Sequence, residues 1–304
     1  MRMIKAFVMI ARMLCLAETG AALLLAPVVA EAAEPNVAVG PQYDSTHVYV
    51  APEDFDRFVS SFIATFGGTT SKQVVATVTP TPSSTISQLA LTPVGILSVF
   101  GYKTPIPYPF GQERMGYLIT DMDRAIRNAR SSGAGVIVAP FDDPIGRDAI
   151  IQWPGGVNMQ LYWHRISPSY AGLQSVPENR VYVSPDKADE FIRSFAAFAR
   201  GKIVSDDRHA SGIGIGRPQD TYRRVGIESK FGKLAVLVTD GHLPYPYGRE
   251  LTGYGVEKLS DTLAKAKAAG ATVLAGPYSV GHGDAAIVQF PGGYLVEIHA
   301  HDSN

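Results

Sequence analysis

The chain has 304 residues, 46% of them hydrophobic and 18% charged, with a formal charge of −1. That balance excludes a disordered chain, and it carries no electrostatic footprint for nucleic acid or an anionic membrane surface. The length and the frequent Gly and Pro fit a turn-rich, β-containing protein of about two domains.

In chain order, residues 1–32 read as a secretory signal peptide. A basic start precedes the apolar run GAALLLAPVVA at 20–30, and Ala30-Glu31-Ala32 forms a small-x-small cleavage site. Arg12 and Glu18 break the apolar run, which disfavours a spanning helix. The single cysteine, Cys15, lies in this segment and follows Leu14, which is unlike a lipoprotein anchor. The mature chain then has no cysteine for a disulfide or a thiolate metal site. The expected location is exported, periplasmic or secreted, with no stable membrane anchor after processing.

A mature N-terminal segment (33–44) leads into a short β run and a helix, THVYVAPEDFDRFVSSFIATFGG at 46–68. Phe55, Phe58, Phe62 and Phe66 recur at helical spacing and are expected in a core. Strands follow over 86–102, then the phrase PYPFGQERMGY at 107–117. After it come another strand, a helix ending at Gly133, where αL geometry suits glycine, and strands closing at DAIIQWPGGVNMQLYWH, 148–164. The polar stretch RISPSYAGLQSVPE at 165–178 reads as a linker.

The second half repeats this order. NRVYVSPDKADEFIRSFAAFARG at 179–201 matches the front of the first half at an offset of 133, with Phe191, Phe195 and Phe198 as its stripe. Ser184 suits an N-cap and Pro185 the first turn. PYPYGRELTGY at 244–254 repeats the earlier phrase at an offset of 137, and AAIVQFPGGYLVEIHAH at 285–301 repeats the closing strands. Each half therefore reads as β-α-β-β-β, twice. GIGIGRPQD at 212–220 lacks the spacing and the helix of a nucleotide fingerprint. His209, His242 and His282 read as loop histidines.

The opening HVYV, the helix-ending GAGVIV and GATVL, and the closing PGG-x-x-x-[QE] strands resemble the vicinal oxygen chelate superfamily of glyoxalases, bleomycin-resistance proteins and extradiol dioxygenases. The resemblance covers about residues 45–301. It implies an α+β fold of four βαβββ modules forming two glyoxalase-like domains, 45–165 and 179–304, joined by the linker 166–178. It also implies a cleft in each domain for a small-molecule ligand, and commonly a divalent metal there (Fe, Mn, Ni or Zn).

Carried over by position, the resemblance puts His47 at the first-strand ligand position, with Arg180 as its counterpart in the second half. Arg114 and Leu251 stand at the start of the second module of each half, with Glu113 and Glu250 beside them. Gln160 and Glu297 occupy the last-strand position. Neither half completes a three-ligand set. Glu297, His299 and His301 alternate on one strand face, so Glu297, as the catalytic residue, and His299 are the leading metal candidates.

Module pairing is open from sequence. Sequential pairing is the simpler topology. Pairing the first module with the fourth would join His47 to Glu297 and His299, and would gather Arg180, Gln160 and Arg114 into an anion-binding set. Tyr49, Tyr162, His164 and Tyr182 are expected on cleft faces, and Tyr108, Tyr245 and Tyr247 over the mouths. Three readings follow: a metal-dependent lyase, isomerase or dioxygenase; a metal-free binding or sequestering protein; and an interaction module with filled barrels.

Overall fold

Alternation of polar and apolar residues decides which strand face meets the helices, and the computed structural model follows it. The structure describes residues 36–173, 175–279 and 283–300. The signal-peptide reading, Cys15, His282 and His301 lie outside the described residues.

The first stretch runs β1 (Thr46–Tyr49), α1 (Phe55–Phe66), β2 (Thr69–Thr70), β3 (Val74–Ala76), β4 (Thr85–Thr92) and β5 (Gly95–Tyr102). The second runs β6 (Met115–Leu118), α2 (Met122–Ser131), β7 (Gly135–Asp142), β8 (Gly146–Gln152) and β9 (Asn158–His164). The third runs β10 (Glu178–Val183), α3 (Pro185–Ala199), β11 (Lys202–Ser211), β12 (Thr221–Ser229) and β13 (Gly232–Val238). The last runs β14 (Leu251–Val256), α4 (Leu259–Ala268), β15 (Thr272–Ser279), β16 (Asp284–Gln289) and β17 (Leu295–Ala300). The protein is thus a mixed α+β fold with several sheets and few helices.

In each stretch the strand before the helix pairs in parallel with the last strand: β1 with β5, β6 with β9, β10 with β13 and β14 with β17. The other ladders within the stretches are antiparallel. The first two stretches form sheets of five and four strands. The last two merge into one eight-stranded sheet through an antiparallel β10–β14 pair. Beside the first sheet, the His47 N–H donates to the Arg114 carbonyl at 2.9 Å, setting β1 against the start of β6.

Local signals behave as the residue chemistry dictates. The Asp121 carboxylate caps α2 by accepting from the Arg124 N–H at 2.9 Å. Gly133 and Gly270 follow the ends of α2 and α4 at φ 96° and 87°. The repeated phrases bridge β5 to β6 and β13 to β14, and both carry a cis Tyr-Pro bond, at Tyr108-Pro109 and Tyr245-Pro246. Tyr108 and Tyr245 face solvent, and Tyr247 packs with Leu251, Ile287 and Leu295. None of the three lines either cleft described below.

The helix stripes are buried as expected, but each main core draws on both halves of the chain. Phe58 and Phe62 of α1 pack with Phe290, and Phe62 also with Tyr254. Trp153 from the first half packs on Phe195 and Phe198 of α3. A buried polar seam crosses between them, where the Asn179 amide donates to the Tyr117 hydroxyl at 3.0 Å and to the Ser45 carbonyl at 3.1 Å. No described helix is long and apolar enough to cross a membrane.

Candidate functional site: two unlike clefts

With Val48, Leu97 and Val99 turned to one core and Ala149, Met159 and Leu161 to the other, the alternate residues of β1, β5, β8 and β9 face each other. They enclose a cleft of about 520 Å³. Side chains do not fill it, which removes the reading of a closed-over interaction module. Its walls carry the rings of Tyr49, Phe100, Tyr102, Phe110 and Tyr162, and Tyr170 from the linker adds another. Tyr49 and Phe100 stack at 5.4 Å. The linker is therefore part of the cleft wall and not only a connection.

The buried polar groups His47, Asp44, Asp148 and Gln160 stand among these rings. His47 is 2% exposed, and its Nδ1 lies 4.0 Å from the wholly buried Glu113. Glu113 accepts from the Tyr49 hydroxyl. The Asp44 carboxylate receives the Ser98 hydroxyl and holds the Tyr162 hydroxyl. Burial, followed by the nearby carboxylates of Asp143 and Asp44, pushes the Asp148 carboxyl well above the usual carboxylate range. Burial also lowers His164.

The second cleft, about 430 Å³, is differently built. Arg180 on β10 donates from Nε to Glu178 at 2.8 Å and pairs through Nη1 with Glu297 on β17. Arg224 adds a 2.7 Å bond to Glu178, and His299 Nδ1 stands 3.4 Å from Glu297. Burial alone would raise the Glu297 carboxyl, but the Arg180 guanidinium overrides it and, with His299, holds it at about 2. The charges here are spent on one another.

The strands opening the second and fourth stretches supply no ligand to either cleft, for a steric reason. Gly116 on β6 pairs with Gln160, and Gly253 on β14 pairs with Glu297. A Cβ on Gly116 would run into the imidazole of His47, and one on Gly253 would sit 3.1 Å from the Arg180 guanidinium carbon. The cleft-facing positions are thus these glycines, two residues beyond the expected Arg114 and Leu251. Arg114 instead lies over the Tyr49 ring at 5.5 Å, and Leu251 is buried in a small core. The signal was in the repeated phrase, which ends Gly-Tyr in both copies.

Of the candidate residues, the first cleft collects His47, Tyr49, Gln160 and Tyr162, and the second collects Arg180, Glu297 and His299. Tyr182 packs with Ile215, Ala235 and Leu237 and is not on the second cleft's wall. His47 does not meet Glu297, so the crossed pairing is corrected: β1 belongs to the sheet of β4 and β5, while β17 lies between β14 and β16. For the same reason Arg180, Gln160 and Arg114 form no common anion site. Sequence reasoning missed Asp44, Asp148 and Glu178. Asp148 was legible only as a polar residue at an alternating position in an apolar strand.

No family model and no curated protein sequence matches the chain. Solved structures do match in fold. A variant of 4-hydroxymandelate synthase from Streptomyces coelicolor aligns at TM-score 0.58 and 13% identity, covering 87% of this chain and 94% of that one. A 2,3-dioxygenase from a Pseudomonas species aligns at 0.52 and 12%, covering 88% and 93%. A Mn(II)-bound glyoxalase from Novosphingobium aromaticivorans aligns at 0.51 and 12%, covering 88% and 84%.

The last of these raises a divalent metal as the group to test against this chain's donors. Among the described residues no three His, Cys, Asp or Glu side chains converge to hold an ion. The first cleft offers His47 and the Gln160 amide across from Gly116, and the second offers a carboxylate already neutralised by a guanidinium. Neither donor set fits a three-ligand metal. The chain has the fold shared by 4-hydroxymandelate synthase, extradiol dioxygenases and glyoxalase, that of the vicinal oxygen chelate superfamily.

Proposed function

We propose that the protein binds a small organic molecule in its first cleft without a metal. In this reading the chain is four βαβββ modules in two domains, each domain closing one cleft, and the second cleft has been converted to a structural ion pair. The carrying observation is the contrast between the clefts. The first keeps a ring-lined cavity with buried polar groups, the usual build of a site for a partly apolar molecule. The second has its Glu297 neutralised from within by Arg180.

The test is a ligand-observed NMR screen of uncharged aromatic fragments on protein stripped with EDTA. Fragments that bind the wild type are expected to lose about tenfold or more in affinity in Phe100→Arg, which places a charge on the ring wall. Hits that survive Phe100→Arg but vanish in a Tyr222→Arg variant would move the site to the second cleft and overturn the proposal.

A further inference from the structure

Asp148 is the one carboxyl of the first cleft with no assigned task. It sits on β8, is 6% exposed, lines the cavity, and stands directly opposite Tyr162 on β9. Gln160, two residues along β9 on the same face, lies against it. The strongest charges acting on it are the carboxylates of Asp143, Asp44 and Glu113. The lining cations are Lys72 and Arg165, and Arg165 is paired with Asp142 at 3.0 Å. The nearby imidazoles are those of His47 and His164.

A carboxyl in an apolar site, crowded by like charge, keeps its proton and becomes a hydrogen-bond donor. The other acids of the cleft have their partners. Asp44 receives hydroxyls from Tyr162 and Ser98, and Asp143 receives the backbone amides of Ile145 and Gly146. Among the acids lining the cavity, the Asp148 carboxyl, with the Gln160 amide bonded to it, is therefore the one left with a proton to donate, set among flat rings.

We propose that the first cleft recognises an uncharged, ring-bearing molecule through one acceptor oxygen, which receives its hydrogen bond from the Asp148 carboxyl with the Gln160 amide beside it. This rests on the reading of the first cleft as the binding site. A ligand anion would face Asp44 and Asp143 across the cavity. A ligand cation would compete with the hydroxyls and backbone amides that already hold Asp44 and Asp143, and would be favoured further by an ionised Asp148.

The test uses a matched fluorescent and calorimetric series: coumarin, 2H-chromene (the same rings without the carbonyl), coumarin-3-carboxylate and an aminomethyl coumarin. Coumarin is expected to bind about tenfold tighter than 2H-chromene or the carboxylate, the worth of one buried hydrogen bond. Asp148→Ala removes that preference, and Asp148→Asn, which keeps a donor, restores most of it. Tightest binding of the aminomethyl coumarin, or an unchanged preference in Asp148→Ala, would overturn the inference and leave the binding function standing. Failure of every probe to bind would sink the first-cleft reading itself, and this inference with it.

Discussion

Arg180 shows how one residue decides what a cleft can do. Where a ligand to a cation would stand, it places a cation of its own, between Glu178 and Glu297. The pairing depresses Glu297, so its stabilising contribution is full above the ordinary value of 4.5 and is lost as pH falls toward about 2. Arg180→Met leaves the buried Glu297 with only His299 beside it, and Glu178 with only Arg224, and should cost about 3 to 5 kcal/mol at pH 7. The gap between variant and wild type should narrow in urea melts at pH 3, where the wild type has lost part of the pair's contribution and the variant's carboxyls take up protons. An equal gap at both pH values would contradict this account. The same residue was legible in the sequence as a non-ligand opposite His47. Its partner Glu178 was not, because it sits at the last position of a segment that reads as linker. Gly116 and Gly253 were missed because charge and polarity draw attention to Arg114 and Glu113, whereas a missing side chain leaves room without announcing it.

At the scale of elements, periodicity gave faces but not partners. The Phe stripes of α1 and α3 and the alternation on β9 and β17 marked the buried sides correctly, since a 3.6-residue or 2-residue period fixes orientation. Nothing in a period says which element covers that side. The structure covers α1 with Phe290 and Tyr254 from the far end of the chain, and covers Trp153 with α3. A fragment ending at residue 165 would therefore leave Phe58 and Phe62 without the packing of Phe290 and Tyr254. Truncating a single buried Phe to Ala costs about 3 to 5 kcal/mol, so exposing two of them forfeits a large share of a small domain's stability. Residues 36–165 expressed alone are expected to give collapsed, poorly dispersed amide NMR spectra. A well-dispersed spectrum from that fragment would show that the shared cores are dispensable.

For the whole molecule, the repeat in the sequence places matching positions in two clefts whose residues differ. His47 against Arg180 and Gln160 against Glu297 were visible as unequal pairs in the sequence. Their consequence needed the structure, because only sequential closure of the clefts puts Arg180 on Glu297 and leaves His47 among the rings. The fold is shared with a Mn(II)-bound glyoxalase, yet among the described residues the donors are not arranged for a metal in either cleft. The most direct test is the affinity of untagged protein for the strongest aromatic fragment after exhaustive chelation, with and without added Mn(II). Equal affinity, within about twofold, is the predicted result. Binding that appears only when Mn(II) is restored would contradict a metal-independent site.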